Sequence, residues 1–327
     1  MISRLLSRKV LGWAAVAVTL GFGMLGWRNH KYSEARQEHF RVGRDYAATD
    51  IRLLMEFPER LRESSGVAMS ESNTGLFWTH NDSGDGPVIY GVRPGEGIVV
   101  ELELVGAPSR DWEDIDLGTC PFPSEGLCLF VGDIGDNLGR RSSVSILIVE
   151  EPLIEAADRG LISVPWKRVI AKYEGGSRDA EALAVDETGR VFVISKGRDG
   201  FHRVSGASAE DLLAGTEGSP VVLASLGELP LVPEWWLGKQ ITGGTESGGR
   251  LVLRTYTEVY VFGLESGSWV QIGGPCFLGA LGGGGEGLDV GPTGLFYLTR
   301  ESGGDRRPAA LHEADCSDME QAVVEAR

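Results

Sequence analysis

The chain has 327 residues, with 31 Lys and Arg against 47 Asp and Glu, and a formal charge of −16. That balance excludes a nucleic-acid partner, which needs a basic surface, and favours cations or simple solubility. Glycine is abundant at 47 residues, and no sustained helical periodicity follows the N-terminal segment, so the composition is that of an all-β chain.

Arg4, Arg8 and Lys9 precede an uncharged run from Val10 to Trp27, near the lower limit for a helix that spans a bilayer. No small-residue cleavage site follows it, so residues 1–27 are expected to be a cytoplasmic basic end and an uncleaved transmembrane helix, a signal anchor. The basic flank keeps the N-terminus inside and sends the rest across the bacterial cytoplasmic membrane, to the periplasm or outside the cell. Residues 28–48 are polar and mixed in charge, a short helix or tether. Residues 49–316 are expected to form one folded unit and 317–327 a tail.

Within that unit one pattern returns: a polar residue, a small or acidic one, an aliphatic, a small or acidic one, an aliphatic. It begins at Ser65, Glu113, Glu181, Glu286 and, in degenerate form, Thr242. Each copy leads through a turn into a second apolar run, such as Leu129-Phe130-Val131 or Val191-Phe192-Val193-Ile194. Self-similarity at intervals of about 40 to 70 residues predicts a β-propeller with one copy per blade.

Five four-stranded blades follow. The first takes Gly66–Met69, Leu76–His80, Val88–Val92 and Ile98–Val105, and the second Ile115–Leu117, Leu129–Gly132, Val144–Val149 and Arg168–Tyr173. The third takes Ala182–Val185, Val191–Ser195, Phe201–Val204 and Val221–Leu226, and the fourth Thr242–Glu246, Leu251–Tyr256, Val259–Phe262 and Trp269–Ile272. The fifth has Leu288–Val290, Leu295–Thr299 and Ala309–Glu313, and its missing strand is supplied by Ile51–Phe57, which closes the ring. Six blades follow instead if the loops at 150–167 and 227–240 conceal a degenerate one. Trp78 and Trp112 read as blade packing.

In a propeller the start of strand one and the end of strand two meet at one mouth of the channel. This places Glu113 near Asp133 and Asp136, Glu181 near Lys196, Glu286 near Arg300, Thr242 near Arg254, and Ser65 near His80, Asn81 and Asp82. The candidate metal ligands are Asp111, Glu113, Asp133, Asp136, Asn137, Glu181 and Glu286, hard oxygen donors suited to Ca²⁺. A bound Ca²⁺ would polarise an ester, lactone or phosphoester oxygen while Lys196, Arg254 and Arg300 hold a small anionic substrate. His80 is the candidate general base.

Plainer readings stand beside these. Glu181 with Lys196 and Glu286 with Arg300 also read as cross-strand ion pairs, Asp136-Asn137 as turn formers, and His80 as a structural histidine. The whole propeller also reads as a binding module that recognises a ligand or an envelope protein without turning it over. No lysine or arginine of the second hairpin is expected to neutralise its carboxylates, since Arg110 precedes the strand and Arg140 follows the loop. No G-x-S-x-G, H-E-x-x-H or P-loop occurs.

The four cysteines lie beyond the membrane segment. Cys120 and Cys128 flank a short loop that a disulfide would close in an oxidising compartment, and Cys276 and Cys316 make a second pair. Zinc is the competing reading, without a C-x-x-C or a neighbouring histidine to support it.

The blocks His80-Asn81-Asp82-Ser83-Gly84, Asp111-Trp112-Glu113-Asp114-Ile115, Gly132-Asp133-Ile134-Gly135-Asp136-Asn137, Asp179-Ala180-Glu181-Ala182-Leu183, Leu253-Arg254-Thr255-Tyr256-Thr257 and Gly285-Glu286-Gly287-Leu288 together resemble a group of bacterial exported β-propeller proteins. More distantly the chain is similar to phytase-like, esterase-like and calcium-dependent lactonase propellers. The resemblance implies a calcium in or near the channel and hydrolysis of a phosphoester or lactone. Glu113, Glu181, Glu286 and the run Asp133 to Asn137 fall where such ligands are expected. Ser65 and Thr242 depart from a carboxylate at two of five equivalent positions, and Lys196, Arg254 and Arg300 bring positive charge to the mouth.

Overall fold

A computed structural model describes residues 29–155, 158–215, 218–279, 284–302 and 307–316. The chain forms two units, residues 1–45 and 46–327. In the first, residues 29–43 are helical, the helical alternative for the polar tether, with Lys31–Glu34 and Arg41–Glu38 pairs along its face. The apolar run Val10–Trp27 lies outside the described residues, and among those described no helix is long and apolar enough to cross a membrane.

The second unit is built of β-strands in antiparallel groups of four. The first group is β2 (Ser64–Met69), β3 (Phe77–Asn81), β4 (Val88–Arg93) and β5 (Gly97–Glu103). The second is β6 (Trp112–Thr119), β7 (Leu127–Asp133), β8 (Val144–Glu150) and β10 (Lys167–Tyr173). The third is β11 (Ala180–Val185), β12 (Val191–Ser195), β13 (Arg203–Ala207) and β14 (Val221–Glu228). β15 (Ile241–Glu246), β16 (Arg250–Thr255), β17 (Glu258–Glu265) and β18 (Ser268–Phe277) make the fourth. The last is β19 (Gly285–Val290), β20 (Phe296–Arg300), β21 (Ala310–Asp315) and β1 (Asp50–Glu56), with Asp50 opposite Asp315 and Glu56 opposite Ala310. The N-terminal strand therefore completes the C-terminal group, as the sequence predicts.

Each group turns one strand inward: β2 touches β6, β6 touches β11, β11 touches β15, β15 touches β19, and β19 touches β2. Along a second strand, successive side chains face neighbouring groups alternately. Phe130 shares a buried cluster with Leu183 and Val193 of the third group, while Val131 shares one with Trp78 and Leu102 of the first. Ile194 and Leu253 share a cluster between the third and fourth groups, Val252 and Leu298 one between the fourth and fifth, and Phe77 and Leu311 one between the fifth and first. Trp78 and Trp112 are buried within the seam between the first and second groups. Side chains of this size each contribute about 1.5–3 kcal/mol on burial, so the seams hold the groups face to face. The fold is all-β and propeller-like.

Three features go beyond the sequence reading. Within the 150–167 loop, β9 (Gly160–Ser163) adds a parallel fifth strand to the first group, with Val100 opposite Gly160. β10 and β14 pair in parallel through Ala171–Tyr173 and Val221–Leu223, which covers two outer edges and joins the second and third groups in one sheet. The connection after β13 holds a short helix (Ala209–Ala214) whose N-cap Ser208 forms a reciprocal capping box with Asp211. The 227–240 segment holds a single 3₁₀ turn, Trp235–Leu237. Both disulfides, Cys120–Cys128 and Cys276–Cys316, are present, and among the described residues no cysteine is free.

Candidate functional site

The five repeated positions share one backbone device. Ser65, Glu113, Glu181, Thr242 and Glu286 each sit where the pairing of an inner strand with its second strand slips: Ser64/Val67, Trp112/Asp114, Ala180/Ala182, Ile241/Gly243 and Gly285/Leu288. A β-bulge leaves its residue outside the ladder and re-aims the side chain. Here it gathers five equivalent side chains at one end of the channel. The residue just before each bulge pairs with the last residue of the second strand, namely Asn81, Asp133, Ser195, Thr255 and Arg300. One step further along come Asp82, Ile134, Lys196, Tyr256 and Glu301, a second set of equivalent positions at the mouth.

Below the bulges the inner strands approach so closely that small residues are required. A Cβ at Gly66 would run into the Ile115 nitrogen and the Asp114 carboxylate, one at Gly243 into the Glu286 carbonyl, and one at Gly287 into Thr299 Oγ1 and the Gly66 backbone. The fourth small residue is Ala182, and the fifth position is Asp114. Its side chain spans the axis, accepting from Ile115 N, from Leu183 N at 3.0 Å and from Gly244 N at 3.1 Å. Asp116 repeats the bracing one layer down, accepting from Val185 N, Leu117 N and Thr245 Oγ1. Burial raises both carboxyls well above the usual range.

At the mouth the carboxylates crowd. Oxygens of Asp82, Asp111 and Glu113 lie within 4.8 Å of one another, and so do those of Glu113, Asp179 and Glu181, with Glu113 common to both sets. Lys196 meets Glu181 at 2.7 Å, and Arg198 bridges Asp179 and Asn137. Among the described residues no donor reaches the carboxylates of Asp111, Glu113, Glu286 or Glu301, although Glu113 is 5% and Glu286 7% exposed. Burial, then Glu181, Asp82 and Asp111, push Glu113 well up. Glu286 is raised by burial, then by Glu181 and Glu301, against the pull of Lys196 and Arg254. Burial first, with neighbouring carboxylates, lifts Asp82 to about 6 and Glu301 to about 7. Burial opposes the charge on Lys196, but Glu181, Tyr256 and Glu286 together raise its pKa, and it stays an ammonium.

The structure gathers Asp111, Glu113, Glu181, Glu286 and Lys196 as the sequence predicts, and Glu181 with Lys196 is also the expected ion pair. Other predicted residues lie elsewhere. Asp133 forms a buried 2.9 Å salt bridge with Arg141, so the second hairpin does carry its own counterion, contrary to expectation. The reason is local: Asp136 accepts from Arg140 N and Arg141 N, closing a turn that folds the Arg141 guanidinium back onto Asp133 and the Gly135 carbonyl. Asp136 is thereby a turn former, and Asn137 accepts from Arg198. His80 is fully buried, with Nδ1 2.9 Å from the Asn81 carbonyl and Trp112 edge-on, and burial lowers its pKa to about 4. Arg254 is likewise fully buried and donates to the Gly287 and Thr299 carbonyls, while Arg300 donates to the Pro308 carbonyl.

The displacement of these side chains has one geometric source. Lys196 occupies the position just past the second strand, whereas Arg300 stands one residue before the equivalent Glu301, and His80 and Arg254 stand two before Asp82 and Tyr256. Asp82, which the sequence places at the mouth beside Ser65 without a role, joins the carboxylate cluster, and Asp179, Tyr256 and Glu301 are mouth residues that the sequence does not assign. Counting each second strand from the shared bulge would have found Tyr256 and Glu301, and Asp179 precedes Glu181 by two residues in its block.

No family model matches the chain, and no curated protein matches it. Among solved structures it is similar to a PQQ-bound aldose sugar dehydrogenase from Streptomyces coelicolor, at 12% identity over 81% of this chain and 98% of that one, with a TM-score of 0.48. The aldose sugar dehydrogenase from Escherichia coli gives 10% identity, 81% and 99% coverage and a TM-score of 0.48. A gluconolactonase from Xanthomonas campestris gives 13% identity, 83% and 91% coverage and a TM-score of 0.42.

Proposed function

We propose that the chain is a five-bladed β-propeller, held by residues 1–27 at the outer face of a bacterial cytoplasmic membrane, whose mouth binds Ca²⁺ and hydrolyses a small anionic phosphoester, ester or lactone. One observation carries this reading. Glu113 is 5% exposed, has no hydrogen-bond donor among the described residues, and is shared between two carboxylate groups. Crowding of carboxylates in a desolvated setting is relieved by protonation or by a bound cation.

The donor set fits a hard cation: it offers carboxylate oxygens from Asp82, Asp111, Glu113, Asp179 and Glu181, without thiolate or exposed imidazole. Ca²⁺, which accepts 6 to 8 oxygens in irregular geometry, suits it. When bound, the ion would supply Lewis-acid polarisation of the substrate oxygen. Lys196, fixed against Glu181 and 5.9 Å above the Tyr256 ring, is placed to orient an anionic group. Asp82 and Glu301, at about 6 and about 7, titrate where a carboxyl takes and returns a proton near neutral pH. The two disulfides favour an oxidising compartment.

A second reading rests on the rim. Leu138, Phe201, Val232 and Trp235, all on loops at the mouth end of the strands, are half or more exposed, which favours docking of an envelope protein without turnover. Metal analysis of the full chain, with hydrolysis of p-nitrophenyl phosphate, p-nitrophenyl acetate and δ-valerolactone in calcium and in chelator, decides. Bound calcium with calcium-dependent turnover supports the hydrolase. Bound calcium without turnover supports the docking module, and absence of bound metal sinks the calcium site.

A further inference from the structure

At the opposite end of the strands, between the third and fourth groups, a cavity of about 540 Å³ opens. It is remote from the mouth in chain terms: it is lined where β11 and β15 end and where β12 and β16 begin. The volume lies in the range of small-molecule sites.

Its floor is aromatic and fixed. Phe192 and Trp269 meet edge to face with ring centroids 6.4 Å apart, and the Trp269 indole donates to the Leu226 carbonyl at 2.9 Å. Over this floor stand two guanidinium groups. Arg190 lies 5.2 Å from the Phe192 ring centroid, a cation–π contact. Arg250 holds Nη1 buried with no acceptor among the described residues.

The lining also contains two carboxylates, and both are engaged in turns. Asp186 accepts from Thr188 N, Thr188 Oγ1 and Arg190 N, while Glu246 accepts from Gly249 N and Arg250 N. Neither reaches the guanidinium of Arg190 or Arg250. Both arginines are half-buried, and in a chain of charge −16 neither guanidinium is paired with a carboxylate of the lining. The cavity therefore sets two guanidinium groups without a lining counterion above an apolar floor.

We infer that this cavity is a second ligand site, which takes a small organic carboxylate with an aromatic or other flat apolar body. The guanidinium fork matches a carboxylate in geometry and charge, and the ring pair receives the body. The inference is independent of the calcium reading of the mouth.

Calorimetric titration of the full chain with 1-naphthoate tests it, with 1-naphthalenemethanol as the uncharged comparator and Arg190→Gln/Arg250→Gln as the variant. Saturable binding of naphthoate is expected, with the alcohol and the double variant each weaker by about tenfold or more, the loss that follows removal of hydrogen bonds to a charged group. If the double variant melts below the unmodified protein, Arg190→Gln alone supplies the comparison, because that guanidinium makes no hydrogen bond among the described residues. Absence of saturable binding, equal binding of the alcohol, or unchanged affinity in the folded variant would overturn the assignment.

Discussion

Glu113 and Glu181, bulged residues of neighbouring inner strands, bring carboxylate oxygens within 4.8 Å of each other, yet among the described residues a cation touches only one of them, Lys196 at 2.7 Å from Glu181. The unmatched charge is what a bound ion would relieve. With calcium at a hundredfold excess over its dissociation constant, the folded state should gain about 2.7 kcal/mol by mass action. Glu113→Gln with Asp111→Asn should abolish that gain. Thermal melting with and without chelator reads it, and a melting temperature indifferent to calcium in the unmodified protein would remove the ion.

Asp133 should behave differently from Glu113. Breaking its buried pair with Arg141 strands a guanidinium, at a cost of about 3–5 kcal/mol. Asp133→Ala is therefore expected to lower stability equally in calcium and in chelator, as urea unfolding would show. Selective loss of the calcium response instead would return Asp133 to the ligand set.

The pH dependence has a defined sign. In chelator, folded Asp82 and Glu301 keep their protons to about pH 6 and about pH 7, whereas unfolded carboxyls lose them near pH ~4. The folded state then binds more protons than the unfolded across that window. This contribution to stability is complete below about pH 4 and is lost as pH rises through 6 to 7. Calcium should flatten the decline. Denaturant unfolding at about pH 5 and about pH 8 measures it, and higher stability at the upper pH in chelator would contradict the raised carboxyls.

Asp114 is predicted to be structural. Asp114→Ala would leave the Leu183 and Gly244 amides without their acceptor at the axis and should cost about 3 kcal/mol or more. A variant that unfolds at the same urea concentration as the unmodified chain would show the brace to be dispensable.

Gly135→Ala probes the same pocket from its wall. A Cβ there would run into the Glu113 and Asp111 carboxylates, and the glycine needs no positive φ. Reduced calcium stabilisation with little change in chelator is expected, and an undiminished calcium shift would place the ion elsewhere.

Much of this was legible because the repeat couples pattern to geometry. The polar first position of each copy marks a bulge, and the small second position marks the narrowest ring of the channel, where only Asp114 departs and fills the space. The second strands were harder to read. Their apolar runs locate the strand but not its last residue, and an error of one or two positions moves a side chain from the mouth to a seam, as His80, Arg254 and Arg300 demonstrate. Arg141 was hidden for another reason: its approach to Asp133 depends on a turn closed by Asp136, a contact between neighbours that no periodicity announces.

The pairing of β1 with β21 also constrains the order of assembly. Asp50–Glu56 is made first and its partner Ala310–Asp315 last, so the early strand must remain single while every other group forms. A chain emerging from a ribosome or a translocation pore therefore carries an unmatched β edge throughout its synthesis, and such an edge is a template for pairing with other chains. Glu56 at one end of β1, and the charged Asp50 and Arg52 at the other, are well placed to keep that waiting strand from finding the wrong partner.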